Sequence, residues 1–182
     1  MAGEGDHWID ADAVGDSPIT VQQIDRTYRK GGHDDGPLVR VTGFDLRCRD
    51  KLVFDNQARY GNWDTLGVYV DDIAGLHHRR DEHREEAWPS RPVIFAPEPH
   101  NPYDPQAVGV WLADGPHLGY VRKDGTRSLR SIMRSGPVCA AVWKTHRPAE
   151  GAGPPTMIQV MVFKPGRLQN APTPEHPPWP ES

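Results

Sequence analysis

Apolar and polar residues alternate along most of this chain in short runs, broken by Gly, Pro, Asp and Asn. From Gly36 to Phe54, GPLVRVTGFDLRCRDKLVF spaces Leu38, Val39, Val41 and Phe44 among polar residues, which predicts one or two strands. Before it, PITVQQIDRTYR predicts one strand or a short helix, with loop elsewhere in residues 1–36. Further strands are predicted at Leu66–Ile73, at Val93–Ala96, at Ala107–Leu112, and in LGYVRK, PVCAAVWKTH and TMIQVMVFK. DNQARYGNWDT is a turn-rich connection. Two segments have helical character. Gly75–Trp88 places Arg80 with Arg84 and Glu82 with Glu86 at helical spacing. DGTRSLRSIMRSG carries Leu129, Ile132 and Met133 as an apolar stripe at i, i+3, i+4, with Asp124 or Thr126 expected to cap its start and Gly136 to end it.

Many short strands with frequent turns and one or two short helices predict a mainly β protein, a small OB-like barrel with an inserted segment and disordered tails. The expected organisation is an N-terminal extension over 1–36, a barrel over 37–165 with an insert at about 56–90, and a Pro-rich tail over 166–182. Val108, Val110, Val121, Leu129, Ile132, Val142 and Ile158 are the expected core.

Composition narrows the function. The 182 residues hold 19 Pro and 18 Gly, which agrees with many turns and extended ends. The net charge of −4 excludes a dominant basic field, so a nucleic-acid site must be a local patch. Cys48 and Cys139 stand in strand-like apolar surroundings, which favours buried thiols over a disulfide. The start, MAGEGDHWIDAD, lacks a cationic segment and an apolar core, and no apolar run is long enough to cross a bilayer. A cytoplasmic protein without a membrane partner is the expectation.

Such a patch exists. Between Pro116 and Arg147 stand Arg122, Lys123, Arg127, Arg130, Arg134, Lys144 and Arg147, with Asp124 as the one acid. Arg127, Arg130 and Arg134, at i, i+3, i+7, share a helix face away from the apolar stripe. Their mutual repulsion would be relieved by an anion, and phosphate suits the guanidinium fork. A solvated basic face explains the same pattern equally well.

The chemistry-bearing candidates elsewhere are weaker. His77, His78, His83, Asp81, Glu82, Glu85 and Glu86 include an i, i+3, i+4 set, but HExxH-type spacing is missing and Arg79, Arg80 and Arg84 oppose a cation. A solvated, ion-paired helix is the preferred reading. Ser128, Ser131 and Ser135 have no flanking His, Asp45, Asp64, Asp71 and Asp72 form no recognisable nuclease set, and no GxxxxGK[ST] loop occurs. No metal, cofactor or catalytic residue is therefore expected.

The stretch EPHNPYDPQAVGVW, Glu98–Trp111, is more elaborate than a turn requires. Glu98, Pro99, Asn101, Pro102, Tyr103, Asp104, Ala107, Val108 and Val110, followed by Leu118, Gly119 and Tyr120 and a short helix, resemble the HIRAN domain family. VRVTGF, Val39–Phe44, loosely matches that family's opening strand. The resemblance implies an OB-type barrel that binds single-stranded DNA and captures a free 3′ end. By position it implies that Asn101, Tyr103 and Asp104 line the pocket, with Tyr120 near the DNA. Arg122, Lys123 and the arginine ladder would then meet the phosphates. In the alternative reading, Asn101 and Asp104 only cap their own turn while Tyr103 fills the barrel mouth. End-capturing members carry a basic–aromatic pair after the opening V-x-G, whereas this chain has Phe44-Asp45-Leu46-Arg47, leaving Phe44 or Arg47 as substitutes. The resulting expectation is a non-catalytic binder of single-stranded DNA or DNA 3′ ends in repair or processing. Two further readings stay open: an accessory module that docks on a nuclease or helicase, and a metal-dependent hydrolase.

Overall fold

The computed structural model describes residues 8–10, 13–54, 62–63, 67–76, 87–150 and 153–171. Within them the chain is mainly β with one α-helix. The strands are β1 (Trp8–Asp10), β2 (Ile19–Arg29), β3 (Leu38–Cys48), β4 (Lys51–Phe54), β5 (Asn62–Trp63), β6 (Val68–Ala74), β7 (Val93–Pro97), β8 (Val108–Leu112), β9 (His117–Val121), β10 (Cys139–Pro148), β11 (Met157–Phe163) and β12 (Leu168–Gln169). The helix α1 is Thr126–Arg134. The helix expected from Gly75 to Trp88 falls mostly, and the tail beyond 171 wholly, outside the described residues.

The ambiguous segment before β3 is strand. β2 runs antiparallel to β3 from Thr20 opposite Arg47 to Arg29 opposite Leu38. Its β-branched and aromatic residues favour a pleated surface. The short strands β1 and β5 lie where loop and turn are expected, and β12 lies in the expected Pro-rich tail, which it corrects over Leu168–Gln169; two or three residues show no period. They exist through their partners β4, β6 and β2.

The sheet follows the order β1-β4-β3-β10-β11-β6-β9-β8-β7, with β2, β5 and β12 off this path. Among the described residues it is open: no ladder joins its two ends, so the expected mainly β architecture is present as an open sheet rather than as a barrel closed on itself. Its far end nevertheless folds back on its middle. Ser90 N donates to Val142 O at 2.8 Å, Val142 N to Arg91 O at 2.9 Å, and Pro92 forms a single bridge to Ala141. Pro89 and Pro92, on either side of the bonded pair Ser90–Arg91, have no N–H to donate to a longer ladder.

This curvature creates two cores on opposite faces of one central layer. In β10, Ala140 and Val142 face one core while Cys139 and Trp143 face the other. In β11, Ile158, Val160 and Val162 face the first, Met161 and Phe163 the second. Strands buried on both faces read as continuous apolar runs, which is the pattern of PVCAAVW and MIQVMVF. The first core also takes β6–β9 and the α1 stripe of Leu129, Ile132 and Met133. The second takes Ile19, Leu46, Val53 and Leu168 from the flanking strands. All seven expected core residues are buried, and Cys48 and Cys139 are buried free thiols. No helix among the described residues is long and apolar enough to cross a membrane.

Candidate nucleic-acid interface

The loop between β7 and β8 is built by its own polar side chains. Asn101 Oδ1 accepts from Tyr103 N at 3.0 Å and Asp104 N at 3.2 Å, and Asp104 Oδ1 accepts from Gln106 N at 2.8 Å. Glu98 N donates to Ala107 O at 2.9 Å and closes the loop at its base. These are Asx-type turns, which satisfy backbone donors locally. The turn-capping expectation for Asn101 and Asp104 is thus fulfilled, but the accompanying one for Tyr103 is not. Its ring fills no barrel mouth and is 95% exposed.

Glu98 ties this loop to β9. Its Oε2 accepts from Asn101 Nδ2 at 2.9 Å and from Tyr120 Oη at 3.2 Å. Glu98 stood in the motif as quoted, at i−3 from Asn101, but was assigned no role. Its second partner lies 22 residues away and is invisible to local spacing. The result is a cavity of about 210 Å³, lined by Asn101, Tyr103, Asp104, Tyr120 and Lys123 together with Ala107, Val121 and Thr126. Five of the nine candidate residues therefore converge on one hollow.

The remaining four are arginines, and they part company. Arg130, half-buried on α1, donates from Nη2 to Gln106 O at 3.2 Å and so abuts the loop. Arg127 and Arg134 are exposed on α1 and are not among the residues lining the hollow. Arg122 lies 3.4 Å from Asp124 and 3.9 Å from Asp71, and it lines a neighbouring cavity of about 530 Å³ with Asp72, Ile73, Ala74, Lys123 and Asp124.

The seating of α1 corrects the capping expectation. Its N-cap is Gly125, which makes no side-chain cap bond; Thr126 Oγ1 instead donates to Arg122 O at 3.1 Å. The space a capping side chain would need is occupied by buried Tyr69 and Asp71, and a Cβ on Gly125 would collide with Tyr69 Oη and Asp71 Oδ2. Tyr69 Oη donates to Asp71 Oδ2 at 2.6 Å, and Asp72 N donates to Asp71 Oδ1 at 2.7 Å. Burial pushes the Asp71 carboxyl up from its ordinary value despite those bonds, and burial also raises the Tyr69 phenol.

The opening-strand substitutes proposed from the sequence are engaged elsewhere. Phe44 packs on Trp143 with ring centroids 5.2 Å apart. Arg47 bonds Gln22 and the Asp50 carbonyl. Asp45 is neutralised by Lys144 Nζ at 2.5 Å and Arg26 Nη1 at 3.7 Å. Among the described residues, no group of three or more His, Cys, Asp or Glu is arranged to hold a metal ion. The histidine-rich set at 77–86 lies outside them.

The family model for the HIRAN domain matches residues 66–162, which is more than half of the chain. The chain belongs to the HIRAN domain family. HIRAN domains are nucleic-acid-binding domains, and the matched region contains the loop, the hollow and α1. Among solved structures the chain is similar to the HIRAN domain of human HLTF, with 18% identity over 56% of this chain and 80% of that one and a TM-score of 0.36. No curated protein matches the sequence. The HIRAN match begins after β5, so β1–β5 lie outside it.

Proposed function

We propose that this HIRAN chain binds single-stranded DNA at a free 3′ end, in repair or processing of DNA, and performs no catalytic step itself. The observation that supports this reading is Tyr103: a ring 95% exposed, fixed between two prolines on a loop whose turn bonds are already satisfied, at the rim of a hollow. Exposing an aromatic ring forgoes the stabilisation of burying it. A stiff loop that does so presents a face on which a base can stack, worth about 1–3 kcal/mol.

The neighbours divide the remaining work. Asp104 spends Oδ1 on Gln106 N, and its carboxylate accepts a hydrogen bond from a terminal 3′-hydroxyl while repelling an internal phosphodiester. Asn101 has its carbonyl and one amide hydrogen committed, so its part is to hold the loop. Lys123 and Tyr120 line the hollow, and Arg130 beside Gln106 leads to Arg127 and Arg134, which face solvent along α1 and meet the backbone phosphates. Asp45 does not repel the strand, because two cations neutralise it.

Fluorescence anisotropy tests the reading with labelled single-stranded DNA carrying a free or a phosphorylated 3′ end, over a range of salt. The expected result is affinity that falls with log salt and favours the free hydroxyl. Asp104→Asn should shrink that preference with little change in overall affinity. Absence of salt-dependent binding at low ionic strength would sink the proposal.

A further inference from the structure

A second aromatic group lies on the same sheet face as the hollow. Trp111 on β8 is 38% exposed, although the strand around it is buried. Its indole stacks on His117 of β9, with centroids 4.4 Å apart and planes at 24°. His117, itself 3% exposed, meets Tyr120 edge-on at 4.9 Å. Tyr120 lines the Tyr103 hollow. Trp111, His117 and Tyr120 thus form a row that starts at the hollow and ends on an exposed indole.

The row is held down by Gly109. Cross-strand pairs place Gly109 opposite Tyr120 and Trp111 opposite His117, so these side chains share one face. A Cβ at Gly109 would stand 2.9 Å from Glu98 Oε1, 3.0 Å from Trp111 Nε1 and 3.1 Å from His117 Nε2. Only a residue without one lets those three groups lie over the strand. Glu98 therefore gives one oxygen to the Tyr120–Asn101 pair, while the other lies over Gly109 with the indole and imidazole nitrogens.

We infer that the outward part of the Trp111 indole is a second stacking platform, on which an internal base of the same single strand rests after its 3′ end is seated at Tyr103. This rests on the proposed single-strand binding and extends it from an end pocket to a track. The stack on His117 holds the indole in place before binding, so little side-chain freedom is lost on contact. A planar ring with one open side suits a base better than a protein surface. Beside the indole on this face stands half-buried Ile94, its cross-strand partner on β7, so the exposed apolar area is small, and the row lies on β8 and β9 rather than on the edge strand β7 that a peptide could extend.

The test is binding of oligonucleotides of increasing length, from trinucleotide to decanucleotide, each with a free 3′-hydroxyl. In the unaltered protein, affinity should step up once the strand reaches Trp111. Trp111→Ala should abolish that step and lose about tenfold on the longest strand, a factor equal to ~1.4 kcal/mol and within the stacking range. Trp111→Phe should retain most of it. Superimposable length profiles for Trp111→Ala and the unaltered protein overturn the inference. Photocrosslinking of the unaltered protein guards against a folding defect: internal 5-bromouracil should label Trp111. Crosslinks at Tyr103 with none at Trp111 overturn the track but leave the end pocket standing. Loss of all binding to short and long strands in the unaltered protein sinks the end pocket itself.

Discussion

An aromatic residue followed directly by an aspartate occurs on each side of the central β10–β11 layer, with opposite outcomes. On the family-matched side, Tyr103 stands almost wholly in solvent and Asp104 bonds the loop through one oxygen. On the other, Phe44 packs on Trp143 at the second core, and Asp45 is neutralised by Lys144 and Arg26. Residue type is nearly the same; accessibility and compensation differ. A strand inside a ladder must place its side chains on one face or the other. A proline-bracketed loop closed by its own Asx turns is free to leave a ring unburied. Chemistry is available where the backbone is satisfied locally, and structure is made where side chains satisfy one another.

Paired substitutions put that contrast at risk. The largest expected effect is Phe44→Ala, which should destabilise the fold by about 2 kcal/mol through lost burial and the cavity left against Trp143. It should leave single-strand affinity unchanged, as chemical denaturation and anisotropy on the same sample would show. Tyr103→Ala should do the reverse: an unchanged denaturation midpoint with ~1–3 kcal/mol of affinity lost, while Tyr103→Phe binds nearly as well as the original. If both alanine variants affect the same observable, the two halves do not differ in kind.

Smaller effects sharpen the picture within the site half. Replacing Arg130 or Arg127 by Ala should each flatten the dependence of log K on log salt by about one unit, with little regard to sequence. Arg130→Ala should also loosen the loop, because its bond to Gln106 O is lost. An unchanged slope in both would make the α1 ladder a solvated face. The smallest effect concerns Asp71, whose folded pKa is raised by burial. Its proton-linked stability is complete below the ordinary value of 3.8 and is lost as pH rises through the raised folded value. The difference in unfolding free energy between the original and Asp71→Asn should therefore shift against the original as pH rises through that window. A difference that stays constant with pH would show that Asp71 does not titrate in contact with α1.

Much of the site was legible because its signals are local. The Asn101–Asp104 turn, the apolar stripe of α1 and its arginine face each repeat within a few residues. Glu98 was harder to place, because one of its two ties is to Tyr120 on the next strand but one. Arg122 was grouped with the phosphate contacts on charge alone, yet it lies against Asp71 and Asp124. The expected N-terminal cap of α1 failed for a related reason, whereas Gly136 does follow its last cap residue with a positive φ. A cap is a local preference, and here a buried Tyr69–Asp71 pair, remote in sequence, occupies its place.

By itself the sequence determined the strand-rich character, α1, the buried thiols, the expected core and the family to which the chain belongs. All of these follow from periodicity, residue type or fixed spacing over short stretches. Tertiary structure alone decided that β10 and β11 serve two cores, that the sheet stays open with its far end bridged to its middle, and that β2 joins β3. It also decided that Lys144 neutralises Asp45 across 99 residues of chain. Alternation tells which residues of a strand share a face, but not what covers that face. Cover, charge compensation and exposure depend on register and strand order, which are fixed only when distant segments meet.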